Sequence, residues 1–306
     1  MKRLSLLLIL FPALIFAQKR GDVCQTISRV SALIKENHFQ PKPIDDSLSV
    51  FVFDDFIDGL DSGRNLFSKA DYELLSKNRL LLDNFISNNQ CAFIDEFITA
   101  YKNALERKKK ILQKIQEIPF DYNSTDSIRF SRKKFPFDVE TNEFERVWIK
   151  RIRYDILEDI SKMSKNGDSL SKNFSALEKI TKKKIIDANL CKVNALLLDD
   201  SQLENKIKND FLNSFCTYFD PHSNYFSADA KSSFMSGLST SNLSLGIEVS
   251  LNDNEEIVIE EIVPGGPASK NSSIEKGDII TKVSNKKGSE YWVSCSSLET
   301  IGDLIF

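Results

Sequence analysis

The stretch LGIEVSLNDNEEIVIEEIVPGGPA, residues 245–268, separates two parts of the chain that differ in periodicity. Apolar and polar residues alternate from Ile247 to Leu251, and a second apolar run occupies positions 257–263. Alternation with a period of two is typical of a strand with one buried face. The polar triplet at 252–254, Asn-Asp-Asn, favours a turn between the two runs. The stretch therefore predicts a β-hairpin.

The residues after the hairpin predict further strands. Gly277-Asp278 precedes a predicted strand at 279–283, and another strand is predicted at 291–295. A helix is predicted over 297–305. Since glycine, proline, valine and isoleucine become frequent from Gly237 onwards, we assign a mixed β domain to residues 240–306.

Before the hairpin, apolar residues recur every three or four positions, which is the spacing of amphipathic helices. Trp148, Ile152, Ile156 and Ile160, for example, repeat every fourth residue. Helices are predicted over 22–37, 46–60, 91–115, 142–165 and 175–197. Between the ranges 46–60 and 91–115, a further helix, the third in chain order, begins with a Ser68–Asp71 capping box and carries Leu74, Leu75, Leu82 and Phe85. The last helix begins with a Ser201–Glu204 capping box. The fold class is therefore α+β, with a mostly helical domain at 18–236.

Composition excludes several functional classes. The chain has 306 residues, with 41 Lys+Arg against 44 Asp+Glu and a net charge of −3, so no global positive field attracts nucleic acid. Two histidines and five cysteines without a Cys-x-x-Cys pair predict no metal site and no cofactor. An odd number of cysteines at irregular spacing favours buried free thiols over a disulfide framework.

The first residues predict export. Lys2 and Arg3 precede an apolar run at 4–16, which ends at the small residue Ala17, in the order typical of a secretory signal peptide. We assign the signal peptide to residues 1–17, with cleavage after Ala17 and a periplasmic location. Because the apolar run is shorter than the roughly 20 residues that span a bilayer, no transmembrane anchor is expected.

No catalytic centre is predicted from the residues themselves. Ser169 with Lys172, and Ser273 with Lys276, have Ser-x-x-Lys spacing, but such pairs arise by chance in a chain rich in serine and lysine. Adjacent carboxylates such as those of Asp54 and Asp55, Asp199 and Asp200, and Glu260 and Glu261 do not share one face of an element. The basic run at 107–110 is interpreted as a solvated helix face without function.

A peptide-binding site is predicted at the start of the hairpin. The glycine in Leu245-Gly246-Ile247 lets the backbone turn so that successive N–H groups point outward and bind a terminal carboxylate. The following strand, with Glu248 and Val249, offers its edge to a bound peptide. Pro-Gly-Gly-Pro-Ala at 264–268 and a terminal helix follow in the order that PDZ domains show. The predicted peptide-binding residues are Leu245, Gly246, Ile247, Glu248, Val249, Leu298 and Ile301.

Several segments, in the right order, resemble the tail-specific proteases, a branch of the carboxy-terminal processing peptidases. These are LIKENHF at 33–39, DDSLS at 45–49, Leu60-Asp61 before Leu66-Phe67, WIKRIRYD at 148–155 and YFDPHSNYFS at 218–227. The resemblance extends from about residue 24 to the end of the chain. It implies a helical N-terminal domain, a PDZ domain that recognises the C-termini of substrates, and a serine protease domain with a Ser/Lys dyad.

The resemblance also sets the functional expectations. Position 306 falls within the predicted last helix of the PDZ domain, so this domain is expected to be incomplete, with residues 240–306 loose and residues 22–236 cooperatively folded. The catalytic residues of the family have no counterpart here, and the chain alone is expected to be inactive. The expected function is substrate recognition for a periplasmic serine endopeptidase. The PDZ domain is expected to bind apolar C-termini that have a free carboxylate, and an envelope adaptor protein is a possible partner. The alternative is a non-catalytic periplasmic PDZ adaptor. His222 is interpreted as an inter-domain packing or hydrogen-bonding residue.

Overall fold

Amphipathic helices build the first domain, and short antiparallel strands build the second. In the computed structural model, the described residues are 23–129, 135–227, 231, 245–251, 256–271, 273–284 and 290–295. Within these ranges the helices are α1 (Val23–Asn37), α2 (Asp46–Leu60), α3 (Lys69–Leu75), α4 (Leu82–Ser87), α5 (Ala92–Glu117), α6 (Phe144–Met163), α7 (Gly167–Leu198) and α8 (Asp200–Phe219). The strands are β1 (Ile247–Leu251), β2 (Ile257–Ile262), β3 (Lys282–Ser284) and β4 (Glu290–Trp292). The predicted α+β class is confirmed.

Aromatic side chains fill the centre of the helical domain, where α2, α5 and α8 meet. Phe56 on α2 lies edge-on to Phe97 on α5 and to Phe211 on α8, with ring centroids 5.0 and 5.4 Å apart. All three rings are buried. Edge-to-face pairs add to the free energy of burying each ring, so this cluster fixes how the three helices pack.

Polar side chains fix where several helices begin. The Asp45 carboxylate accepts hydrogen bonds from the first backbone N–H groups of α2, and Ser68 and Asp71 form the predicted capping box of α3. The expected Ser201–Glu204 capping box of α8 is wrong. Asp199 is the cap instead, since its carboxylate accepts from the N–H groups of Ser201 and Gln202 and from the Ser201 hydroxyl.

The predicted third helix is broken in two. After α3 the chain forms a 3₁₀ turn at Ser76–Asn78, and α4 starts only at Leu82. The break is held from outside the segment, because the Ser49 hydroxyl on α2 accepts from the backbone N–H of Asp83 and donates to its carboxylate. Asn78 is buried and donates to Glu96 on α5. These contacts replace the hydrogen bonds that a continuous helix would make.

The predicted pairing of the two hairpin strands is confirmed. β1 pairs antiparallel with β2, Ile247 lies opposite Ile262, and the register shifts between Glu248 and Val249. β3 pairs with β4, and the strand expected at 279–283 starts only at Lys282, while Ile279 makes a single bridge to Val258. The chain leaves β4 in a 3₁₀ turn at Val293–Cys295, where a strand was expected. The predicted signal peptide at 1–17 and the predicted helix at 297–305 lie outside the described residues.

The expectation of free cysteines is wrong for four of the five. Cys24 is bonded to Cys91, 67 residues away, and Cys191 to Cys295, 104 residues away. The Cα atoms of the two pairs are 5.6 and 5.0 Å apart, within the usual range for disulfides. Cys216 is free and buried, and burial raises the pKa of its thiol to about 11. The first disulfide joins α1 to the start of α5, whereas the second joins α7 to the β domain.

One buried hydroxyl supplies a stability prediction. Thr181 on α7 has no exposed surface, and within the described part of the chain its hydroxyl has no hydrogen-bond partner. Because a buried hydroxyl without a partner costs free energy, we expect Thr181→Val to raise the free energy of unfolding by about 1 kcal/mol in urea titrations. Thr217→Val is the matched control, since the Thr217 hydroxyl donates to the carbonyl of Asn213. A loss of stability in Thr181→Val as large as in the control would contradict this prediction.

Candidate peptide-binding site

β1 is an edge strand within the described part of the β domain. On one side it pairs with β2, and β2 in turn bridges to Ile279 through Val258 on its far side. The described strands therefore leave the other side of β1 without a neighbouring strand. Such an edge presents backbone N–H and C=O groups in the plane of the sheet, where an extended peptide can pair with them.

The hydrogen-bond pattern shows which backbone groups point to this edge. The N–H of Val263 donates to the carbonyl of Gly246, so Ile247 and Ile262 form a non-hydrogen-bonded pair of the antiparallel ladder. In such a pair the flanking residues bond across the ladder, and the paired residues turn their own N–H and C=O outward. The backbone of Ile247 therefore points away from β2, to the open edge.

The turn before β1 is held in place by the turn after β2. The carbonyl of Leu245 accepts from the N–H of Ala268, and that of Gly246 accepts from Val263. Gly246 has a φ of +70°, and a Cβ atom at this position would lie 3.0 Å from the Cα of Gly266. Both the backbone angle and the close approach require glycine here.

Side chains of the site divide between core and surface. Ile247 is only 5% exposed and packs with Ile257, Ile259 and Val293 in the core of the β domain. Val249 is half-buried against that core, whereas Leu245 and Glu248 are exposed. Five of the seven predicted site residues thus lie in β1 or in the turn directly before it. The other two, Leu298 and Ile301, lie outside the described residues.

The other predicted candidates have structural contacts. The N–H of Ser169 donates to Asn166 at the start of α7, and Lys276 lies 3.6 Å from the Glu260 carboxylate. His222 is exposed, so the expected packing role is not supported, and its backbone N–H donates to Asp220. In the described ranges no group of three or more potential metal ligands is found.

Several charged residues of the helical domain that the sequence analysis singled out have partners. Asp54 binds Arg79 through two hydrogen bonds, and Asp55 accepts from the Ser214 hydroxyl. The basic run at 107–110 is only in part a solvated face, because Arg107 binds Asp71 and the carbonyl of Leu66. Lys108 of the same run lies over the Trp148 ring, 4.4 Å from its centroid.

The Asp155 carboxylate on α6 interacts electrostatically with a residue next to the hairpin. Burial raises the pKa of Asp155 to about 6, against the lowering effect of Arg151, whose Nε lies 3.0 Å from Asp155 Oδ1. The negative charges of Glu158 on α6 and of Glu256, next to β2, raise the pKa of Asp155 further. The β domain therefore adds negative charge beside α6.

Asp155 makes stability depend on pH. Because its pKa is higher in the folded protein than the ordinary 3.8, the folded state binds this proton more tightly than the unfolded chain. The resulting stabilisation is complete below about pH 4 and is lost as the pH rises through about 6. We expect Asp155→Asn to remove this dependence and to raise the free energy of unfolding at pH 7.5 by on the order of 2 kcal/mol, measured by urea titration at several pH values.

The matched control is Asp159→Asn, one turn further along α6, where the carboxylate lies 3.3 Å from the Lys184 ammonium. This variant should keep the pH dependence of the unchanged protein. An unaltered pH profile in Asp155→Asn would contradict the assignment.

None of the helices in the described ranges is both long enough and apolar enough to cross a bilayer.

Comparison with known sequences gives three findings. Residues 30–229 match the family described as Tail specific protease N-terminal domain, and residues 237–292 match the PDZ domain family. A curated relative, "Tail-specific protease" of Haemophilus influenzae, is 28% identical over 269 residues. The match covers 85% of this chain and 35% of the relative, so the chain spans about a third of that protein's length.

Proposed function

The chain belongs to the tail-specific protease family, and we propose on that basis that it is the substrate-recognition part of an exported serine endopeptidase that acts on proteins from their C-termini. Its PDZ domain binds the C-terminal peptide of the substrate. The helical domain carries the PDZ domain and offers a surface for an envelope adaptor protein. Cleavage of the peptide bond is not assigned to any residue of this chain.

The outward-facing backbone of Ile247 carries the proposal. A C-terminal peptide that adds to the open edge of β1 pairs with the N–H and C=O of Ile247, as in strand addition generally. Its terminal carboxylate then lies beside the Leu245–Ile247 turn, where backbone N–H groups stabilise negative charge. The positive φ of Gly246 and the two hydrogen bonds from Val263 and Ala268 support this turn as a preformed site.

The chemistry of the site favours an apolar terminal residue. Ile247 and Val249 provide an apolar wall on the core side of β1, and Leu298 and Ile301 of the predicted last helix are proposed as the facing wall. A charged terminal side chain would lose its hydration between such walls without gaining a partner. A peptide held by one carboxylate and one side chain has few anchors, so micromolar affinity is expected.

The export assignment rests on two further observations. The order of positive, apolar and small residues at 1–17 is typical of a signal peptide. Two disulfides, which join residues 67 and 104 positions apart, are characteristic of proteins in oxidising compartments such as the periplasm.

Amidation of the peptide C-terminus tests the binding site. We expect a fluorescent peptide that ends in a free apolar residue to bind the purified chain with a micromolar Kd in anisotropy titrations. The same peptide with an amidated C-terminus lacks the negative charge and should bind at least about tenfold more weakly, a difference of about 1.4 kcal/mol. Equal affinity for the two peptides would exclude carboxylate recognition by the Leu245–Ile247 turn.

A further inference from the structure

We propose that Cys191 and Cys295 form a redox-sensitive tether, which holds the PDZ domain on the helical domain when oxidised and releases it when a dithiol reductant opens the bond. The proposal concerns the docking of the two domains. Only its last consequence, a change in peptide affinity, rests on the proposed function.

The two disulfides differ in what they connect. Cys24–Cys91 lies within the helical domain, between α1 and the start of α5. Cys191–Cys295 instead joins α7 to the 3₁₀ turn that follows β4, where the turn contacts α7. Breaking the first bond therefore leaves the domain arrangement intact, whereas breaking the second removes a covalent link between the domains.

Without this bond, the covalent link between the domains is the main chain alone. The N–H of Tyr225 donates to Asn213 on α8, and the carbonyl of Leu245 accepts from Ala268 in the β domain. The 19 residues at 226–244 lie between these two contacts, and a chain of that length can extend to about 60 Å. The main-chain connection is therefore long enough for the PDZ domain to leave the surface of α7.

The charges next to the hairpin do not by themselves ensure docking. Glu256 interacts unfavourably with the carboxylate of Asp155 and favourably with the ammonium of Lys162, both on α6. Glu158 adds a further negative charge and Arg151 a positive one. These attractions and repulsions oppose one another, whereas the disulfide holds the two domains covalently.

The tether is also connected to the candidate site. Val293, two residues before Cys295, is 5% exposed and belongs to the same small core as Ile247. The N–H of Val293 donates to the carbonyl of Thr281, next to β3. Release of the turn from α7 therefore loosens the packing beneath β1, the strand proposed to bind peptide.

Accessibility distinguishes the two disulfides chemically. Both cysteines of the tether, Cys191 and Cys295, are half-buried, whereas in the other pair only Cys91 is half-buried and Cys24 is 5% exposed. A thiolate of the reductant attacks one sulfur of the tether and forms a mixed disulfide, while the other sulfur leaves as a thiolate and takes a proton. The second thiol of the reductant then releases the remaining cysteine. The tether gains two electrons and two protons, and the reductant becomes a disulfide.

The first experiment measures which disulfide opens. The full chain is treated with increasing dithiothreitol, free thiols are alkylated, and the labelled positions are identified by mass spectrometry. We expect Cys191 and Cys295 to be labelled at reductant concentrations at least about tenfold lower than Cys24 and Cys91. Reduction of both pairs at one concentration, or of Cys24–Cys91 first, would overturn the proposed redox sensitivity.

The second experiment measures docking. In hydrogen exchange, the Cys191→Ser/Cys295→Ser variant should exchange at least about tenfold faster over 290–295 and in β1 and β2, with α2 and α5 unchanged. The control, Cys24→Ser/Cys91→Ser, should exchange at the normal rate over 290–295. Reduced unsubstituted protein provides the same test without substitutions. Normal protection over 290–295 in both the variant and the reduced protein would overturn the tether.

Peptide affinity separates this proposal from the proposed function. A lower affinity after reduction, together with faster exchange, supports the tether and its connection to the site. Faster exchange without peptide binding in either redox state supports the tether and rejects the peptide site. If the peptide affinity is equal in the oxidised and reduced states and hydrogen exchange is faster only at 290–295, the tether affects docking alone. Its proposed connection to β1 is then rejected.

Discussion

Replacing Asp61 by alanine is expected to lower the free energy of unfolding by about 4 kcal/mol. Asp61 ends α2, and its carboxylate is 3% exposed. The two carboxylate oxygens accept backbone N–H groups of Asn65, Leu66 and Phe67 at 3.0, 3.0 and 2.9 Å. Alanine would leave these donors without acceptors, and each buried unpaired donor costs about 1–3 kcal/mol.

The effect should extend to the entry of α3, because Asp61 shapes the turn that leads to it. Arg64 within this turn has a φ of 53° and donates to the carbonyls of Asp61 and Phe135. The carboxylate therefore holds a backbone conformation that a residue other than glycine adopts only with support.

Urea titration measures this prediction directly. Asp61→Asn keeps one acceptor oxygen and should lose less stability than Asp61→Ala. Asp187→Ala is the matched control, since the Asp187 carboxylate is exposed and pairs with Lys183 one turn away on α7, a contact that contributes about 0.5 kcal/mol. A loss in Asp61→Ala no greater than in this control would contradict the proposed role.

Local patterns in the sequence predicted most of the helices. The bounds of α2 were predicted correctly because its apolar stripe is continuous, whereas its Asp45 cap was not predicted. α6 was predicted within two residues at each end for the same reason, since its buried residues repeat every fourth position. The helical period is a property of neighbouring residues, so a single sequence is enough to identify it.

Two of the errors share a different cause, because they depend on residues that are distant in sequence. The break between α3 and α4 is held by Ser49, 34 residues before Asp83. The disulfides join residues 67 and 104 positions apart, and no local spacing indicates which cysteines meet. Composition alone favoured free thiols, although the predicted export already permitted disulfides.

The candidate site was predictable where it depends on one short segment. Gly246 was recognised as the residue that lets the chain turn, and the alternation after it identified β1. The outward orientation of the Ile247 backbone depends on the register with β2, which a single sequence does not specify. The disulfide between Cys295, two residues after Val293, and Cys191 on α7 depends on how the two domains are arranged. No motif in the chain encodes that arrangement.

Replacing Gly246 by alanine is expected to weaken peptide binding by at least about tenfold. At a φ of +70°, alanine costs about 1–2 kcal/mol relative to glycine. Its Cβ would also lie 3.0 Å from the Cα of Gly266, a backbone atom that cannot rotate away. The turn must therefore shift, and the backbone of Leu245–Ile247 loses the geometry proposed for the terminal carboxylate.

Gly265→Ala is the matched control for the Gly246 variant. Gly265 has a φ of +81°, but a Cβ atom there meets nothing within 4 Å, so alanine has the unfavourable backbone angle without the steric contact. We expect Gly265→Ala to bind the free-carboxylate peptide within about threefold of the unchanged chain, a loss of about 0.7 kcal/mol. Hydrogen exchange of β2 shows whether each variant keeps the hairpin folded, so that a loss of affinity with intact protection is attributable to the turn. Normal affinity in Gly246→Ala would mean that the carboxylate binds elsewhere on the PDZ domain.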